Sequence, residues 1–160
     1  MKKLLLLFVL TVSVNCFAQS VIDDEITIIQ DIYGKSKWDL VKEFMNLSDS
    51  QTATFQEIYD KYETERKELG RKKIQIIDEY AKNYSTLSPS KADELTQANF
   101  KNNMDLDKLL FKSYTKVKKE LGEINAAKFV QLEQYLQVTI RSSIQDSIPF
   151  IGEMNKSKKE

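Results

Sequence analysis

The sequence predicts an all-α protein, and three observations support this fold class. The 160 residues include only two prolines, Pro89 and Pro149, and four glycines, so residues that end strands and form tight turns are scarce. Apolar residues recur every three or four positions over long stretches, which is the spacing of one helix face. The breaks between these stretches are short. We therefore predict four helices, in which the second and third form a long antiparallel hairpin flanked by two shorter helices.

The N-terminus has the pattern of a secretory signal peptide. Lys2 and Lys3 precede an apolar run from Leu4 to Val14, and Ala18 ends a short segment suited to cleavage. The apolar run is shorter than the roughly 20 residues needed to span a bilayer. The mature protein is therefore expected to be periplasmic or otherwise exported, with no integral membrane segment after cleavage.

Three parts of the chain follow from this pattern. We predict a signal peptide over 1–18, one helical domain over 19–150 and a disordered, Lys- and Ser-rich tail over 151–160. The alternative to cleavage after Ala18 is that Cys16 becomes the lipidated first residue of a lipoprotein. The residues just before Cys16 lack the leucine and the small residue that usually precede a lipidated cysteine.

Composition excludes several kinds of chemistry. Cleavage would remove the only cysteine, and the chain has no histidine, which excludes Ser-His-Asp and Cys-His catalysis and zinc sites that contain histidine. The acid pairs Asp78/Glu79 and Asp105/Asp107 are one or two positions apart and do not share a helix face, so we interpret them as solvating groups. We predict no enzymatic activity, no catalytic residue, no metal site and no cofactor.

Charge likewise argues against a nucleic-acid partner. Removal of Lys2 and Lys3 leaves 22 of the 24 basic side chains against 24 acidic ones, a formal charge of −2. Such a balance does not attract phosphate backbones, so we predict no nucleic-acid partner.

The first helix is predicted over about Asp23 to Met45. Its first residues are acidic, which suits the positive end of a helix, and apolar residues follow at helical spacing. Gly34 is a weak point within it. Trp38 lies beside the apolar stripe, and we interpret it as packing against the hairpin, with a platform for a ligand as the alternative.

A capping box marks the start of the second helix at Leu47-Ser48-Asp49-Ser50-Gln51. The Ser48 hydroxyl can accept a hydrogen bond from the Gln51 amide, while the Gln51 side chain can accept one from the Ser48 amide. The helix is predicted to run to about Tyr84. Leu47, Ser48 and Gln51 form either a cap only or a recognition element.

The apolar stripe of this second helix is wide enough to form an interaction face. That face comprises Tyr59, Tyr62, Arg66, Leu69, Lys73, Ile76 and Tyr80. We expect Arg66 and Lys73 to extend their charged ends to the helix edge, with buried pairing to acids on a partner helix as the alternative. Two helices cannot bury so wide a stripe, so part of it must meet the first and fourth helices, a second subunit or a bound client protein. Of these we expect a homodimer, which would form a dimeric cradle.

The third helix is predicted over about Pro89 to Leu121. Ser88 can cap it, and Pro89 suits the first helical position. Phe100, Met104 and Phe111 lie beside its apolar stripe. Three lysines lie in its last turns: Lys116, Lys118 and Lys119. We interpret them as cations that interact favourably with the negative end of the helix dipole; the alternative is a patch that binds phosphate or anionic lipid.

The fourth helix follows at once. Gly122 suits a left-handed cap at the end of the third helix, and Asn125 can cap the fourth. Pro149 is expected to end it.

The segment Leu47-Ser48-Asp49-Ser50-Gln51, which lies between a short amphipathic helix and a long one in an exported chain, resembles the LTxxQ motif of the Spy/CpxP-like periplasmic proteins. Ser48 stands where that motif has Thr. A second copy commonly opens the last helix in that family, and the corresponding segment 121–125 keeps only Leu121. Three further segments look like uncharacterised exported helical proteins grouped with it: Phe55-x-x-Ile58-Tyr59-x-x-Tyr62, Glu79-Tyr80-Ala81-Lys82-Asn83-Tyr84 and Ala127-Lys128-Phe129-x-x-Leu132-Glu133.

The resemblance implies a curved, antiparallel helical-hairpin dimer that binds unfolded or stress-exposed proteins without ATP, or regulates an envelope sensor. We therefore expect a non-enzymatic, chaperone-like or envelope-stress binding protein that binds other proteins through a hairpin surface. The alternative is a structural or regulatory protein that docks onto one specific envelope protein.

Overall fold

The structure is a computed structural model that describes residues 28–145. Of these residues, 92% are helical and none forms a strand, which confirms the all-α prediction. Five helices lie within this range: residues 28–33 (α1), Lys37–Met45 (α2), Asp49–Asn83 (α3), Pro89–Leu121 (α4) and Glu123–Gln145 (α5). A 3-10 turn, Tyr84–Thr86, follows α3. The predicted signal peptide, the start of the first predicted helix and the C-terminal tail lie outside the described residues.

The first predicted helix, Asp23 to Met45, is wrong as a single element, because the chain breaks between α1 and α2. Gly34 takes a φ of 65°, a conformation that glycine adopts without steric cost. Ser36 is extended, and its hydroxyl accepts a hydrogen bond from the Asp39 amide at 3.1 Å, so it caps α2. A new helix therefore begins three residues after Gly34, and residues 28–145 form five helices where the sequence predicts four.

Local caps set the starts of the two long helices where the sequence predicts them. At α3, the Ser48 hydroxyl accepts from the Gln51 amide at 3.4 Å, and Gln51 Oε1 accepts from the Ser48 amide at 3.2 Å. At α4, the Ser88 hydroxyl accepts from the Lys91 amide at 3.2 Å, and Pro89 is the first helical residue. With 35 and 33 residues, each helix is about 50 Å long.

Helices α3 and α4 pack along each other. Lys112 Nζ lies 3.2 Å from Glu65 Oε1, and Lys91 Nζ lies 3.1 Å from Glu79 Oε2. Later residues of α3 therefore lie beside earlier residues of α4, on either side of the turn that joins them.

The junction between α4 and α5 differs from the prediction. Gly122 has a positive φ of 85°, but its ψ of 167° is far from the left-handed helical value. Gly122 is the one non-helical residue between α4 and α5, and its carbonyl already accepts from the Ala126 amide at 3.1 Å. Consequently α5 begins at Glu123, and Asn125 is not its cap; it lies inside the helix and its Nδ2 donates to the Leu121 carbonyl at 2.9 Å.

A single hydrophobic core joins all five helices at one end of the α3–α4 pair. Its buried members are Ile29, Val41, Met45, Phe55, Tyr59, Tyr62, Leu109, Leu110, Val117, Ala126, Phe129, Leu132, Leu136 and Ile140. Trp38 packs on this core as interpreted from the sequence, with its ring centroid 5.4 Å from that of Tyr59. None of residues 67–94 is buried. Among residues 28–145, no helix is both long and apolar enough to span a bilayer.

Candidate functional site

The residues of the predicted interaction face fall into two groups. Tyr59, Tyr62 and Arg66 are buried, because side chains of α2 and α5 pack against the first half of α3. For these three residues the prediction of an accessible face is therefore wrong. Leu69 is half-buried against the core, whereas Lys73, Ile76 and Tyr80 are half-buried beyond it.

A buried carboxylate, Glu133 of α5, lies at the centre of the first group. It has 0% exposed surface. Its Oε1 accepts from the Tyr59 hydroxyl at 3.1 Å, and its Oε2 accepts from the Tyr62 hydroxyl at 2.9 Å and from Lys37 Nζ at 3.0 Å. These donors come from α2 and α3, so one carboxylate joins three helices.

A second carboxylate, Glu63, extends this arrangement. Glu63 Oε1 accepts from Lys37 Nζ at 2.6 Å and from Arg66 Nε at 2.7 Å. The side chain of Arg66 therefore does not extend to the helix edge, and its pairing with Glu63 lies within its own helix. We call Lys37, Tyr59, Tyr62, Glu63, Arg66 and Glu133 the Glu133 cluster. Its two cations balance its two carboxylates.

The electrostatics of the Glu133 cluster act on Glu63 and on the two tyrosines. Burial raises the pKa of Glu63, but the positive charges of Lys37 and Arg66 outweigh burial and hold that pKa at about 2. For Tyr59 and Tyr62, burial and then the charge of Glu133 raise the pKa well above the usual value, so both hydroxyls remain protonated donors.

Aromatic rings enclose the Glu133 cluster. Phe129 lies edge-on to Phe55, Tyr59 and Tyr62, with the shortest centroid distance, 5.3 Å, to Tyr62. Gln137 Nε2 donates to the Tyr62 hydroxyl at 3.1 Å. A ligand could reach Glu133 only if α5 separated from α3. The cluster therefore organises the fold and does not present a carboxylate to a substrate.

Sequence reasoning missed Lys37, Glu63 and Glu133. One observation could have identified Glu133, because it lies on the apolar face of α5 between Phe129 and Leu136. A carboxylate at such a position needs buried donors, and tyrosines on the stripe of α3 can supply them.

The Leu47–Gln51 motif lies at the rim of the core. Leu47 is half-buried and packs on the core, while Ser48 and Gln51 satisfy each other's backbone amides. Lys128 of α5 donates from Nζ to the Met45 carbonyl at 2.5 Å, so α5 also holds the turn before α3. The polar atoms of this motif are thus already used in capping.

Residues 67–94, which we call the distal arm, differ from the core end. Ile74, Ile76, Ile77 and Tyr80 are all half-buried there. Tyr80 also lies edge-on to Tyr84, with the ring centroids 5.8 Å apart.

A polar layer lies where the distal arm meets the core end. Lys73 Nζ donates to Asn99 and, at 3.4 Å, to Asn103 of α4. Its partners on the neighbouring helix are therefore neutral amides, whereas the alternative stated from the sequence was pairing with acids. Burial, and then the charge of Arg141, lower the pKa of Lys73. In the same segment of α4, Asn102 is buried without a hydrogen-bond partner for its amide among the described residues.

A surface cavity of about 600 Å³ lies at the tip of the distal arm. It is lined by Tyr84, Ser85, Thr86, Leu87, Ser88, Pro89 and Ala92. This lining contains no carboxylate, and in residues 28–145 no three Asp, Glu, His or Cys side chains are grouped so that they could hold a metal ion.

Comparisons of the chain with protein-family models, with curated proteins and with solved structures found no match. The resemblance to the Spy/CpxP-like proteins therefore remains a prediction that depends on the sequence segments named above.

Proposed function

We propose that the mature protein is an exported, non-enzymatic binding protein that holds unfolded or stress-exposed proteins against the distal arm of a helical hairpin made by α3 and α4. One observation carries this proposal: the apolar stripe of α3 is buried as far as Arg66 but continues half-buried through Ile76 and Tyr80. A stripe that extends beyond its own core favours contact with another molecule.

The side chains around the distal arm suit weak and adaptable binding. Its apolar members alternate along α3 with exposed charged residues, among them Asp78, Glu79 and Lys82. Such a surface gives small apolar contacts without a deep pocket, so it would select exposed hydrophobic segments in preference to a particular sequence.

Export and family likeness support the same proposal from the sequence side. The predicted signal peptide would place the mature chain in the periplasm or another exported location, and the LTxxQ-like motif at Leu47–Gln51 resembles that of envelope-stress proteins.

Homodimer formation belongs to the proposal, but the face first expected to mediate it does not suit this role. Tyr59 and Tyr62 contact Glu133 and Phe129 of the same chain, so a partner would have to displace α5 to reach them. A dimer would need a different face.

An aggregation assay tests the proposal. The mature protein should slow the aggregation of several unrelated denatured proteins at an equimolar ratio. The double variant Ile76→Ser with Ile77→Ser should lose this effect while its helical circular dichroism remains. The matched control is Ile124→Ser, because Ile124 is 76% exposed and lies in α5 far from the distal arm.

Two results would contradict the proposal. One is that the mature protein slows the aggregation of none of the substrates. The other is that Ile124→Ser reduces the effect as much as the double variant does. If the mature protein does not slow aggregation and a pull-down from envelope extract yields one dominant protein, the alternative function is favoured. In that alternative the mature protein is a structural or regulatory protein that docks onto one specific envelope protein.

A further inference from the structure

Helix α4 exposes an apolar row on its outer face. Phe100, Met104 and Phe111 are 62%, 52% and 68% exposed. At about 100° per residue, these three side chains lie opposite the buried Leu95 and Leu109, which face the rest of the molecule. The row therefore points away from every other described helix.

The packing of residues 28–145 does not explain this row. The inner face of α4 already supplies Leu109, Leu110 and Val117 to the core. The row adds two phenylalanines and a methionine to the solvent side of the same helix, where polar residues are the norm. Large exposed apolar side chains aligned on one helix face in this way indicate an interaction surface.

Charged residues flank the apolar row and make this face of α4 self-complementary. Asp93 lies seven residues before Phe100, Lys118 lies seven residues after Phe111, and all four lie on the same outer face. Read backwards, the row again has a charged residue, two phenylalanines and a charged residue at the same spacing, with the charges reversed. A surface that must pair with itself through a two-fold axis requires this symmetry, because each residue i meets residue j of the other copy and each j meets i.

We propose that this row binds the same row of a second copy of the chain, with the two α4 helices antiparallel about a two-fold axis at the level of Asp105 and Leu106. Phe100 would then pack on the partner subunit's Phe111, and Asp93 would face the partner subunit's Lys118. The intervening positions repeat every three or four residues, as in a coiled-coil seam. With its flanking residues the seam comprises Asp93, Gln97, Phe100, Met104, Asp107, Phe111, Tyr114 and Lys118, of which Tyr114 lies at the edge and also packs on the core.

The charges beside the row set the strength of this dimer. Lys101 and Lys108 would approach each other across the axis, but both already pair with Asp105, at 3.2 Å and 3.7 Å. Asp107 would lie against the partner subunit's Met104 and lose water contacts, which opposes association. The result is a dimer of modest affinity whose formation depends on the two phenylalanine contacts and the two end pairs. This inference deepens the homodimer proposal by naming its surface.

Sedimentation velocity of the mature protein, from micromolar to submillimolar concentration, tests the apolar part. The wild type should shift from monomer to dimer as concentration rises. Phe111→Ser should raise the dissociation constant by about tenfold or more, because it removes two symmetric contacts. The control Ile124→Ser should leave it unchanged. Since both side chains are exposed, both variants should melt like the wild type.

Charge reversal tests the register. Asp93→Lys should weaken the dimer because the new lysine would face the partner subunit's Lys118. Lys118→Asp should also weaken the dimer because the new aspartate would face the partner subunit's Asp93. The double variant should restore the wild-type dissociation constant. Lys119→Asp is the control, because Lys119 is an exposed neighbour outside the row.

Three outcomes would overturn the inference: a wild type that stays monomeric at every concentration, a dimer unaffected by Phe111→Ser, or a charge-reversed double variant no stronger than the single ones. Because no client is present in these measurements, they are independent of the aggregation assay. Loss of client binding with an intact dimer would therefore reject the proposed function alone.

Discussion

The core end of the α3–α4 pair and its distal arm have similar sequence patterns but different packing. Both carry apolar residues at helical spacing, yet Phe55, Tyr59 and Tyr62 are buried, while Ile76 and Tyr80 are only half-buried. The difference lies in what covers them, because α2 and α5 supply Trp38, Phe129 and Glu133 only at the core end. Periodicity predicts that a face is available for burial, whereas additional helices decide where burial occurs.

The two regions also use polar groups differently. At the core end, Glu133 receives three hydrogen bonds from tyrosines and a lysine. At the border of the distal arm, Lys73 meets only neutral amides, and Asn102 remains unpaired among the described residues. Satisfied buried networks stabilise one arrangement, and unsatisfied ones weaken it. Stability should therefore be concentrated at the core end.

The largest expected effect comes from removing the centre of the Glu133 cluster. Glu133→Ala should lower the free energy of unfolding by about 3–5 kcal/mol, because it leaves Lys37 without one of its buried carboxylates and the hydroxyls of Tyr59 and Tyr62 without acceptors. Urea denaturation measures this change.

Ile76→Ala in the distal arm is the matched comparison for Glu133→Ala. Because Ile76 is half-buried, its truncation should cost clearly less than truncation of the fully buried carboxylate. Equal losses from the two substitutions would show that the distal arm is as tightly coupled to folding as the core, contrary to the comparison drawn above.

The parts of the fold that sequence reasoning predicted are those set by local chemistry. The starts of α3 and α4 follow from hydrogen bonds between neighbours, at Ser48 with Gln51 and at Ser88 with Lys91. Asn125 shows the limit even of local reasoning: the conformation of Gly122 starts α5 two residues before it, so its capping chemistry is not used.

The parts that could not be predicted depend on where helices meet. Glu133 and Lys37 are 96 residues apart, and no local pattern pairs them. The covering of Tyr59 and Tyr62 likewise depends on the path of α5. A wide apolar stripe is equally consistent with an interaction face and with a core, and the prediction of an accessible face from Tyr59 to Tyr80 was therefore wrong at its first three residues.

An intermediate effect should appear in acid. The pKa of Glu63 in the folded protein, about 2, is below its ordinary value of 4.5, so the unfolded chain takes up this proton first as pH falls. The stabilisation from Glu63 is complete above about pH 4.5 and is lost as pH falls from there towards 2. Unfolding free energies measured across this range should decrease steeply.

Glu63→Gln provides the test of this pH dependence. The variant should be less stable than the wild type at neutral pH and should lose less further stability between pH 4.5 and pH 2. Glu65→Gln is the control, because Glu65 lies on the same helix but forms an exposed pair with Lys112. A wild-type acid slope that persists in Glu63→Gln would assign the effect to another carboxylate.

The smallest expected effect concerns the Leu47–Gln51 motif, which lies at the rim between core and solvent. Ser48→Ala with Gln51→Ala should lower the unfolding free energy by about 1–2 kcal/mol, because the first turn of α3 loses both hydrogen bonds of its capping box. Gln56→Ala, an exposed change further along α3, should cost much less.

If the motif is a cap alone, the aggregation assay should be unchanged at temperatures well below melting. Unchanged melting together with lost client binding would instead make the motif a recognition element, and would extend the binding surface from the distal arm to the core end.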